Sequence, residues 1–366
     1  MISYPDLPIE KSRRVYLDAM LRELAAVGPQ AKEYEVISVY IGGGTPSLLP
    51  GDWMEELMEV VRDTYCLKKD AEISMEANPG TLTAINLAGY HRAGINRLSL
   101  GCQSTDDTEL KLLGRIHTWA QFQESFQMAR EAGFANLNVD LMSGLPRQNL
   151  TSWEKSLEVI AGMEPEHISA YSLIIEEGTP FAEKKPELPD EEEERRMYER
   201  TWEILQAYGY HQYEISNYAK KGKECRHNLG YWTRKEYLGF GVGSASLFQK
   251  SAFYQSERPE CVWGIQRKSG IDPTGPGNTD SRGSDGRNHD SGSEAALWCI
   301  TERIQEKFRK IRRRSIRTGD WKKYSRMGLL KREGDRIALT RAGKSVSSNP
   351  IMADFCWMNK ERKIKT

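Results

Sequence analysis

VYIGGGTP, residues 39–46, is the stretch of this chain that decides its fold. It continues an apolar run that begins at Val36 and stops at three consecutive glycines, followed by Thr45 and Pro46. A short apolar run bounded by Gly and Pro is typical of a buried strand, and a helical pattern follows from about Asp52. Because glycines lack a Cβ, the backbone there can approach a ligand closely. The stretch therefore indicates either a ligand-binding strand end or an ordinary tight turn.

The same pattern of an apolar strand and an amphipathic helix recurs along the first half of the chain. The predicted strands cover residues 36–41, 71–77, 97–101, 136–142 and 167–175, and the predicted helices cover residues 11–26, 52–65, 83–93, 119–132 and 152–162. Strands that alternate with helices indicate a parallel sheet, either doubly wound or closed as a barrel. The polar or glycine-rich strand ends favour a barrel-like α/β fold, in which the site lies at the carboxyl ends of the strands.

Polar groups and glycines cluster at those predicted strand ends. They are Gly43, Gly44, Thr45, Glu76, Gln103, Arg115 and Asp140. Each one alone has an ordinary structural explanation, such as a helix cap, a loop amide, a surface charge or a turn-forming side chain. Five consecutive units that place such a group at the same end make a shared ligand pocket the favoured interpretation.

Composition and charge narrow the class of protein. The chain has 366 residues, 39% of them hydrophobic, with a mean hydropathy of −0.64, which suits one large α/β domain with smaller additions. It contains no apolar run of about 18 residues, so no membrane span is expected, and its first residues lack a signal-peptide core, so we expect a cytoplasmic protein. The six cysteines contain no Cys-x-x-Cys pair, and a disulfide framework is not expected.

The net charge is zero, but the basic residues concentrate at the end of the chain. Residues 301–366 contain 20 Lys and Arg against 7 Asp and Glu. A basic tail can indicate a nucleic-acid partner, but this one lacks the interleaved aromatic residues of a base-stacking surface. We therefore expect a solvated tail and no nucleic-acid binding.

The region after the barrel pattern contains a second candidate site. A helix is predicted over residues 190–208 and a strand over residues 210–218, followed by the motif His-Asn-x-x-Tyr from His227 to Tyr231 among aromatic residues and glycines. Neutral imidazole is a common axial ligand of heme iron. From the residues alone, however, a histidine that is hydrogen-bonded at a loop corner beside a packed aromatic cluster is the more ordinary interpretation.

The last third of the chain departs from the pattern. Residues 266–294 contain six glycines and Ile271 as their only aliphatic residue, so this segment is predicted to be disordered. We extend that prediction to residues 251–320, and we hypothesise a local reading-frame error there. Residues 328–330 and 336–340, separated by a Glu-Gly-Asp turn, are predicted to form a hairpin.

Five motifs, taken in order and spacing, resemble the radical S-adenosylmethionine (SAM) family. They are GGGTP at 42–46, EANPG at 76–80, GCQS at 101–104, LGRIH at 113–117 and DLMSGLP at 140–146. More narrowly, they resemble the group of oxygen-independent coproporphyrinogen III oxidase-like proteins, over residues 4–248 and again near the C-terminus. The resemblance implies a partial (β/α)6 radical SAM barrel and a winged-helix-like C-terminal unit.

The resemblance also assigns roles to individual residues. It implies that SAM contacts Gly43, Gly44, Thr45, Glu76, Gln103, Arg115 and Asp140 and, as a weaker correspondence, Ile174. The His-Asn-x-x-Tyr motif resembles that of the heme chaperone branch of the group, in which His227 would be the proposed heme ligand. The expected function is heme transfer to a heme-accepting protein, with an electron donor as a second partner. The alternatives are coproporphyrinogen III oxidase (a dehydrogenase) and an inactive, truncated product, so enzyme activity is left open.

One departure from the family pattern matters as much as the matches. The family holds a [4Fe-4S] cluster with a Cys-x-x-x-Cys-x-x-Cys loop after its first barrel strand, and no three cysteines of this chain have that spacing. We therefore expect no cluster, no reductive cleavage of SAM, and an exposed edge on the strand at residues 36–41, whose usual neighbour is missing. We hypothesise that the sequence is a fragment or begins at an internal Met.

The expected organisation has four parts. Residues 1–180 would form the barrel lacking its first strand, and residues 181–250 the extension with the His-Asn-x-x-Tyr motif. Residues 251–320 would be the anomalous segment, and residues 321–366 a small helix–hairpin unit.

Overall fold

Five parallel strands form the centre of the computed structural model, which describes residues 9–175, 178–184, 186–249, 251–254, 296–303, 324–333 and 336–340. The strands are β1 (Tyr34–Gly42), β2 (Cys66–Ala77), β3 (Arg97–Gln103), β4 (Leu137–Ser143) and β5 (His167–Ser172). Each pairs in parallel with the next along the chain. This is the arrangement that the alternating strand and helix patterns predict.

Helices precede, connect and follow these strands; most of them cover the apolar face of the sheet, whereas the last one lies on its polar face. They are α1 (Ile9–Val27), α2 (Gly51–Thr64), α3 (Ala84–Arg92), α4 (Asp107–Leu112), α5 (Trp119–Glu131), α6 (Leu150–Gly162), α7 (Pro180–Glu183), α8 (Glu191–Ala207) and α9 (Arg226–Trp232). Side chains cap several N-termini. Thr118 forms a capping box with Gln121 at α5, and Asn149 forms one with Ser152 at α6.

The two faces of the central strands differ in polarity because successive side chains of a strand point to opposite sides. Val39, Ile41, Leu98 and Leu100 belong to one buried apolar cluster that also contains side chains of the surrounding helices. The alternating residues on the other face are polar, for example Arg97, which is 2% exposed. The sheet therefore buries an apolar layer on one side and a polar layer on the other.

Antiparallel strands extend the sheet at both sides of the parallel centre. They are β6 (His211–Gln212), β7 (Asn217–Ala219), β8 (Glu236–Phe240), β9 (Ala245–Phe248), β10 (Ser251–Tyr254) and β11 (Ala296–Arg303). Within the described residues the strand order is β10-β9-β8-β11-β1-β2-β3-β4-β5-β7-β6. The division of the chain into four parts remains a prediction, although strands from three of the proposed parts share this sheet.

Strand β11 corrects two expectations. The edge of β1 is not exposed, because β11 pairs with it in antiparallel register from Tyr34 opposite Arg303 to Gly42 opposite Ala296. The prediction of disorder over residues 251–320 is wrong for β10 and β11, whereas residues 255–295 and 304–320 lie outside the described part of the chain.

The prediction of a single strand over residues 210–218 is also wrong, because this region forms two short strands, β6 and β7. Between them the Glu214 carboxylate accepts hydrogen bonds from the backbone N–H groups of Ile215, at 2.6 Å, and Ser216, at 3.0 Å. These bonds hold a tight turn that reverses the chain, and β6 then pairs with β7.

The predicted hairpin near the C-terminus is confirmed. Strand β12 (Leu330–Glu333) pairs antiparallel with β13 (Arg336–Leu339), with Glu333 opposite Arg336. Residues 341–366, which complete the predicted winged-helix-like unit, lie outside the described residues. No helix among the residues described is long and apolar enough to cross a membrane.

Trp153 should be a main support of the packing between α6 and α8. Its side chain is 1% exposed, and its indole N–H lies 2.9 Å from the Thr201 Oγ1 and 3.2 Å from the Met197 carbonyl. Trp153→Phe leaves these acceptors without that donor and opens a cavity. We expect it to lower the free energy of unfolding by about 2 kcal/mol, measured by urea denaturation.

Trp232→Phe is the matched control, because the Trp232 side chain is 45% exposed. It should change the free energy of unfolding by less than about 0.5 kcal/mol. Equal effects of the two substitutions would contradict this assignment of the core.

Candidate functional site

Three polar residues of β2 organise the inner face of the sheet. Glu72, Ser74 and Glu76 follow one another at intervals of two, so their side chains share one face. Glu76 lies near the carboxyl end of β2 beside the glycine turn, and Glu72 lies four residues earlier, beside α9. Strand β2 therefore carries one carboxylate near its carboxyl end, Glu76, which we call the upper level of the inner face. It carries a second, Glu72, beside α9, which we call the lower level.

The upper carboxylate, Glu76, is tied to the end of β1. The Tyr40 hydroxyl donates to Glu76 Oε1 at 2.8 Å, and the Gly43 backbone N–H donates to Oε2 at 3.1 Å. A Cβ on Gly42 would lie 2.9 Å from the Glu76 carboxylate carbon, so a side chain there would collide with this arrangement. Gly43 and Gly44 have φ angles of 72° and 54°, in the left-handed region that favours glycine.

The turn that follows the glycines is fixed by the loop after β2. Asn78 Nδ2 donates to Thr45 Oγ1 at 3.1 Å, and the Asn78 backbone N–H donates to Ser47 Oγ at 3.1 Å. The sequence analysis assigns Gly43, Gly44, Thr45 and Glu76 to one pocket. In the structure Gly43 bonds Glu76 directly, Thr45 bonds Asn78 two residues after Glu76, and Gly44 lies between Gly43 and Thr45 in the same turn.

A second carboxylate lies on the same face of the sheet, on β4. Asp140 accepts hydrogen bonds from Ser99 Oγ at 3.0 Å and Asn138 Nδ2 at 2.7 Å. The Asn138 amide oxygen meets His167 Nδ1, and His167 Nε2 lies 2.8 Å from the Tyr213 hydroxyl. Asp140 is therefore the upper end of a polar network that crosses β3, β4 and β5.

Burial raises the pKa of both carboxyl groups. For Glu76 the rise is opposed by the hydrogen bond from Tyr40 and increased by the negative charge of Asp140. For Asp140 the rise from burial is opposed by hydrogen bonds from Asn138, Ser99 and Ser169 and by the charge of Arg97. Two carboxylates whose ionised forms are disfavoured make this end of the sheet a place where a positively charged group would be stabilised.

Tyr171, which the sequence analysis does not single out, connects other predicted site residues. Its hydroxyl donates to Gln103 Oε1 at 3.0 Å. Burial raises the pKa of Tyr171, the negative charge of Asp140 adds to the rise, and the positive charge of Arg115 opposes it. Tyr171 therefore bonds Gln103 directly and lies close enough to Asp140 and Arg115 to be affected by their charges. Ile174 lies just beyond the end of β5 with a side chain that is 81% exposed.

His227 lies in the first turn of α9, and not at a loop corner, with a side chain that is 1% exposed. Its Nδ1 lies 3.1 Å from Ser38 Oγ, and its Nε2 lies 3.0 Å from the Tyr231 hydroxyl. One ring face stacks on Tyr40 with centroids 5.0 Å apart. Burial, together with the positive charge of Arg97, lowers the pKa of His227 to about 3, so the imidazole is neutral at physiological pH.

Glu72 holds α9 in this position. Its carboxylate accepts hydrogen bonds from the backbone N–H groups of Arg226 at 2.9 Å and His227 at 3.1 Å, and from the Cys225 thiol at 3.3 Å. These are unpaired donors of a helix N-terminus, where a carboxylate is stabilised. The predicted SAM residues and His227 therefore lie on one continuous inner face, connected through Tyr40.

The other polar residues on the inner face of the sheet could have been predicted from the alternation of polar and apolar residues in the sequence. Polar side chains recur at every second position of β3, β4 and β5 and alternate with apolar ones that pack on the helices. They are Arg97 and Ser99, Asn138 and Asp140, and His167, Ser169 and Tyr171.

The residues that the structure describes do not fit a [4Fe-4S] cluster. Of the described cysteines, Cys66 is exposed on β2, while Cys102 and Cys225 are buried with their thiols directed to Ser104 and Glu72. Among the described residues, no three His, Cys, Asp or Glu side chains are grouped so that they could hold a metal ion.

Comparison with known proteins places this geometry in context. Residues 6–160 match the family model of the radical SAM superfamily. The heme chaperone HemW of Escherichia coli is 43% identical over 229 residues, covering 63% of this chain and 61% of that protein. HemW of Bacillus subtilis is 40% identical over 234 residues, covering 63% of this chain and 62% of that protein. The chain thus spans about three fifths of the length of these curated relatives.

A solved structure also has the same fold. Coproporphyrinogen III oxidase (HemN) from Escherichia coli, a radical SAM enzyme, superimposes with a TM-score of 0.61 at 24% identity, covering 69% of this chain and 62% of that one. At this identity the similarity shows the fold alone. Together with the matched superfamily domain it confirms the partial (β/α) barrel predicted from the sequence.

Glu76→Gln should stabilise the chain at neutral and alkaline pH. Because burial raises the pKa of Glu76, its ionised form is less favourable in the folded chain than in the unfolded one, and stability falls as pH rises through the folded pKa. The amide removes that charge while it can still accept from Gly43 N–H. We expect Glu76→Gln to have the higher free energy of unfolding at pH 8, with a difference that vanishes below about pH 4.

Glu124→Gln on the exposed face of α5 is the control and should leave the pH dependence of urea unfolding unchanged. A Glu76→Gln variant less stable than the parent chain at pH 8 would contradict the charge-burial argument.

Proposed function

We propose that this chain, whose residues 6–160 match the radical SAM superfamily, is a heme-handling chaperone that binds SAM on its barrel and transfers heme to an acceptor protein. The observation that carries the proposal is the docking of the His-Asn-x-x-Tyr helix on the inner face of the barrel, with a buried, neutral His227. The similarity to HemW heme chaperones at 43% and 40% identity supports it.

The SAM site would lie at the carboxyl ends of β1 to β4. Backbone groups of Gly43 and Gly44, with Thr45 beside them, are accessible where a side chain would block a ligand, which suits the amino-acid end of SAM. Glu76 and Asp140 are acceptors for its ammonium group and ribose hydroxyls, and Gln103 can both donate and accept. Burial raises the pKa of Glu76 and repulsion by Asp140 adds to the rise; the positive charges of SAM would offset that repulsion.

Arg115 and Ile174 complete the proposed SAM site less directly. Arg115 acts on the surroundings of Tyr171 through its charge. Ile174, with 81% of its side chain exposed, would offer an apolar surface at the rim.

His227 would bind the heme iron as an axial ligand. A neutral imidazole is the form that ligates iron, and the low pKa of His227 maintains that form. The exposed Trp232 beside it, at 45%, would provide surface for the flat macrocycle. Heme is the cargo in this proposal, and a soluble heme-accepting protein in the cytoplasm is the proposed partner.

The proposed function does not require the iron–sulfur cluster that the family resemblance implies. When bound in such a barrel, that cluster supplies the electron that cleaves SAM. The described residues do not offer its ligands, so no role in this chain is assigned to cluster chemistry or to an electron donor.

Heme binding should depend on His227. We expect hemin, titrated into the purified chain and followed by its Soret band, to bind at about one per chain, and His227→Ala to weaken that binding by at least tenfold because an axial ligand is lost. The control is His91→Ala, since the exposed His91 lies in the last turn of α3. Binding that is indifferent to His227 and equal in all three chains would overturn the proposal.

SAM binding should depend on the carboxylate of Glu76. A charge-assisted hydrogen bond contributes about 1.5–3 kcal/mol, so we expect Glu76→Gln to weaken SAM binding by about tenfold or more in equilibrium dialysis. Glu124→Gln serves as the control. If Glu76→Gln retains the parent affinity, the proposed site is wrong, and the stabilising effect at pH 8 shows independently that the variant is folded.

A further inference from the structure

The environment of His227 leaves neither ring nitrogen open. Ser38 occupies Nδ1 at 3.1 Å, and the Tyr231 hydroxyl occupies Nε2 at 3.0 Å. One face of the ring stacks on Tyr40, and Tyr231 also stands edge-on to the ring, with centroids 4.8 Å apart and an interplanar angle of 86°. As the structure stands, an iron atom has no access to this imidazole.

The partners of His227 differ in how firmly they are held. Ser38 is 0% exposed in the middle of β1, and the His227 backbone is fixed by Glu72. The Arg226 guanidinium strengthens that attachment by bonding the Asp70 carbonyl oxygen at 2.6 Å. Tyr231, in contrast, lies in the last turn of the seven-residue α9 and is 40% exposed. Of these groups, Tyr231 is the one whose side chain can turn toward solvent without disturbing the sheet.

In one of its two neutral tautomers the ring offers the lone pair of Nε2 to iron. A neutral imidazole carries one N–H and one lone pair. When Nδ1 carries the proton it donates to Ser38 Oγ, and the Tyr231 O–H then donates to the lone pair of Nε2. In this tautomer the phenol occupies the same lone pair that an iron atom needs.

We propose that Tyr231 is a latch over His227, a positioning residue that covers Nε2 in the heme-free chain and swings away when heme binds. This inference rests on the proposed function, because it assigns a role to Tyr231 only if His227 takes heme. The latch keeps a ligating nitrogen from other metals and solvent, and it makes heme binding a competition between iron and one hydrogen bond. Since Tyr231 contacts Tyr237 as well, with centroids 4.8 Å apart, the closed position has its own aromatic support.

The variant Tyr231→Phe tests the latch because it keeps the ring and removes the hydroxyl. A net hydrogen bond of about 1 kcal/mol no longer competes with iron, so the Kd for hemin should fall by about fivefold. The Soret maximum should be unchanged, since both chains bind iron through Nε2. In stopped-flow mixing, the observed rate of heme binding to the parent chain should reach a plateau as the hemin concentration rises, because the movement of Tyr231 away from His227 limits it. In Tyr231→Phe the plateau should be higher.

Two controls separate the latch from other roles. Tyr237→Phe removes a neighbouring hydroxyl but leaves the hydrogen bonds of His227 to Ser38, Tyr231 and Glu72 in place, so its Kd and rates should equal those of the parent chain. The double variant Tyr231→Phe, His227→Ala should lose specific heme binding. Thermal unfolding of each variant, followed by circular dichroism, confirms that the comparison is made between folded chains, and Tyr231→Leu provides a second chain without the hydroxyl.

The outcomes are distinguishable. Tighter and faster binding in Tyr231→Phe and Tyr231→Leu supports the latch. Unchanged binding, or weaker binding with a shifted Soret band, overturns it, the latter because Tyr231 would then be an iron ligand or a heme-stacking surface. If the double variant binds hemin as well as Tyr231→Phe does, the assignment of His227 fails, and with it the proposed function and not the latch alone.

Discussion

The carboxylate of Glu72 is the interaction on which the relation between the barrel and α9 depends. It lies 7% exposed on the inner face of β2 and accepts hydrogen bonds from two backbone N–H groups and one thiol at the start of α9. Such donors have no partner within their own helix, and a buried charge without hydrogen bonds is costly. The helix start and the carboxylate therefore satisfy each other. This contact fixes the start of α9, and with it the backbone of His227, on the inner face of the sheet.

The inner face of the sheet forms one polar surface with two functional levels. At the upper level, Glu76 holds the glycine turn after β1 and shares its electrostatic environment with Asp140. At the lower level, Ser38 and Glu72 hold His227. Tyr40 touches both levels, because its hydroxyl bonds Glu76 while its ring stacks on His227. The proposed SAM site and the proposed heme ligand are thus two ends of one packed layer and not separate modules.

The sequence predicts what depends on local periodicity and misses what depends on distant partners. The parallel strands, their connecting helices and the shared face of Glu72, Ser74 and Glu76 follow from alternation along the chain, and the structure has them. Helix α9 escapes prediction because its N-cap residue, Cys225, makes no capping bond and Glu72, more than 150 residues earlier, supplies the cap. The pairing of β11 with β1 escapes for the same reason: no local pattern at residues 296–303 specifies that partner.

The central claim is that the nitrogen of His227 reaches the heme iron, and pulsed electron paramagnetic resonance tests it most directly. The chain would be labelled with ¹⁵N-histidine, loaded with ferric heme and compared with the equally labelled His227→Ala chain. The account expects a strong ¹⁵N coupling from an axial histidine that is absent in the variant. A bound ferric heme whose spectrum carries no histidine coupling, or whose coupling persists without His227, would contradict it.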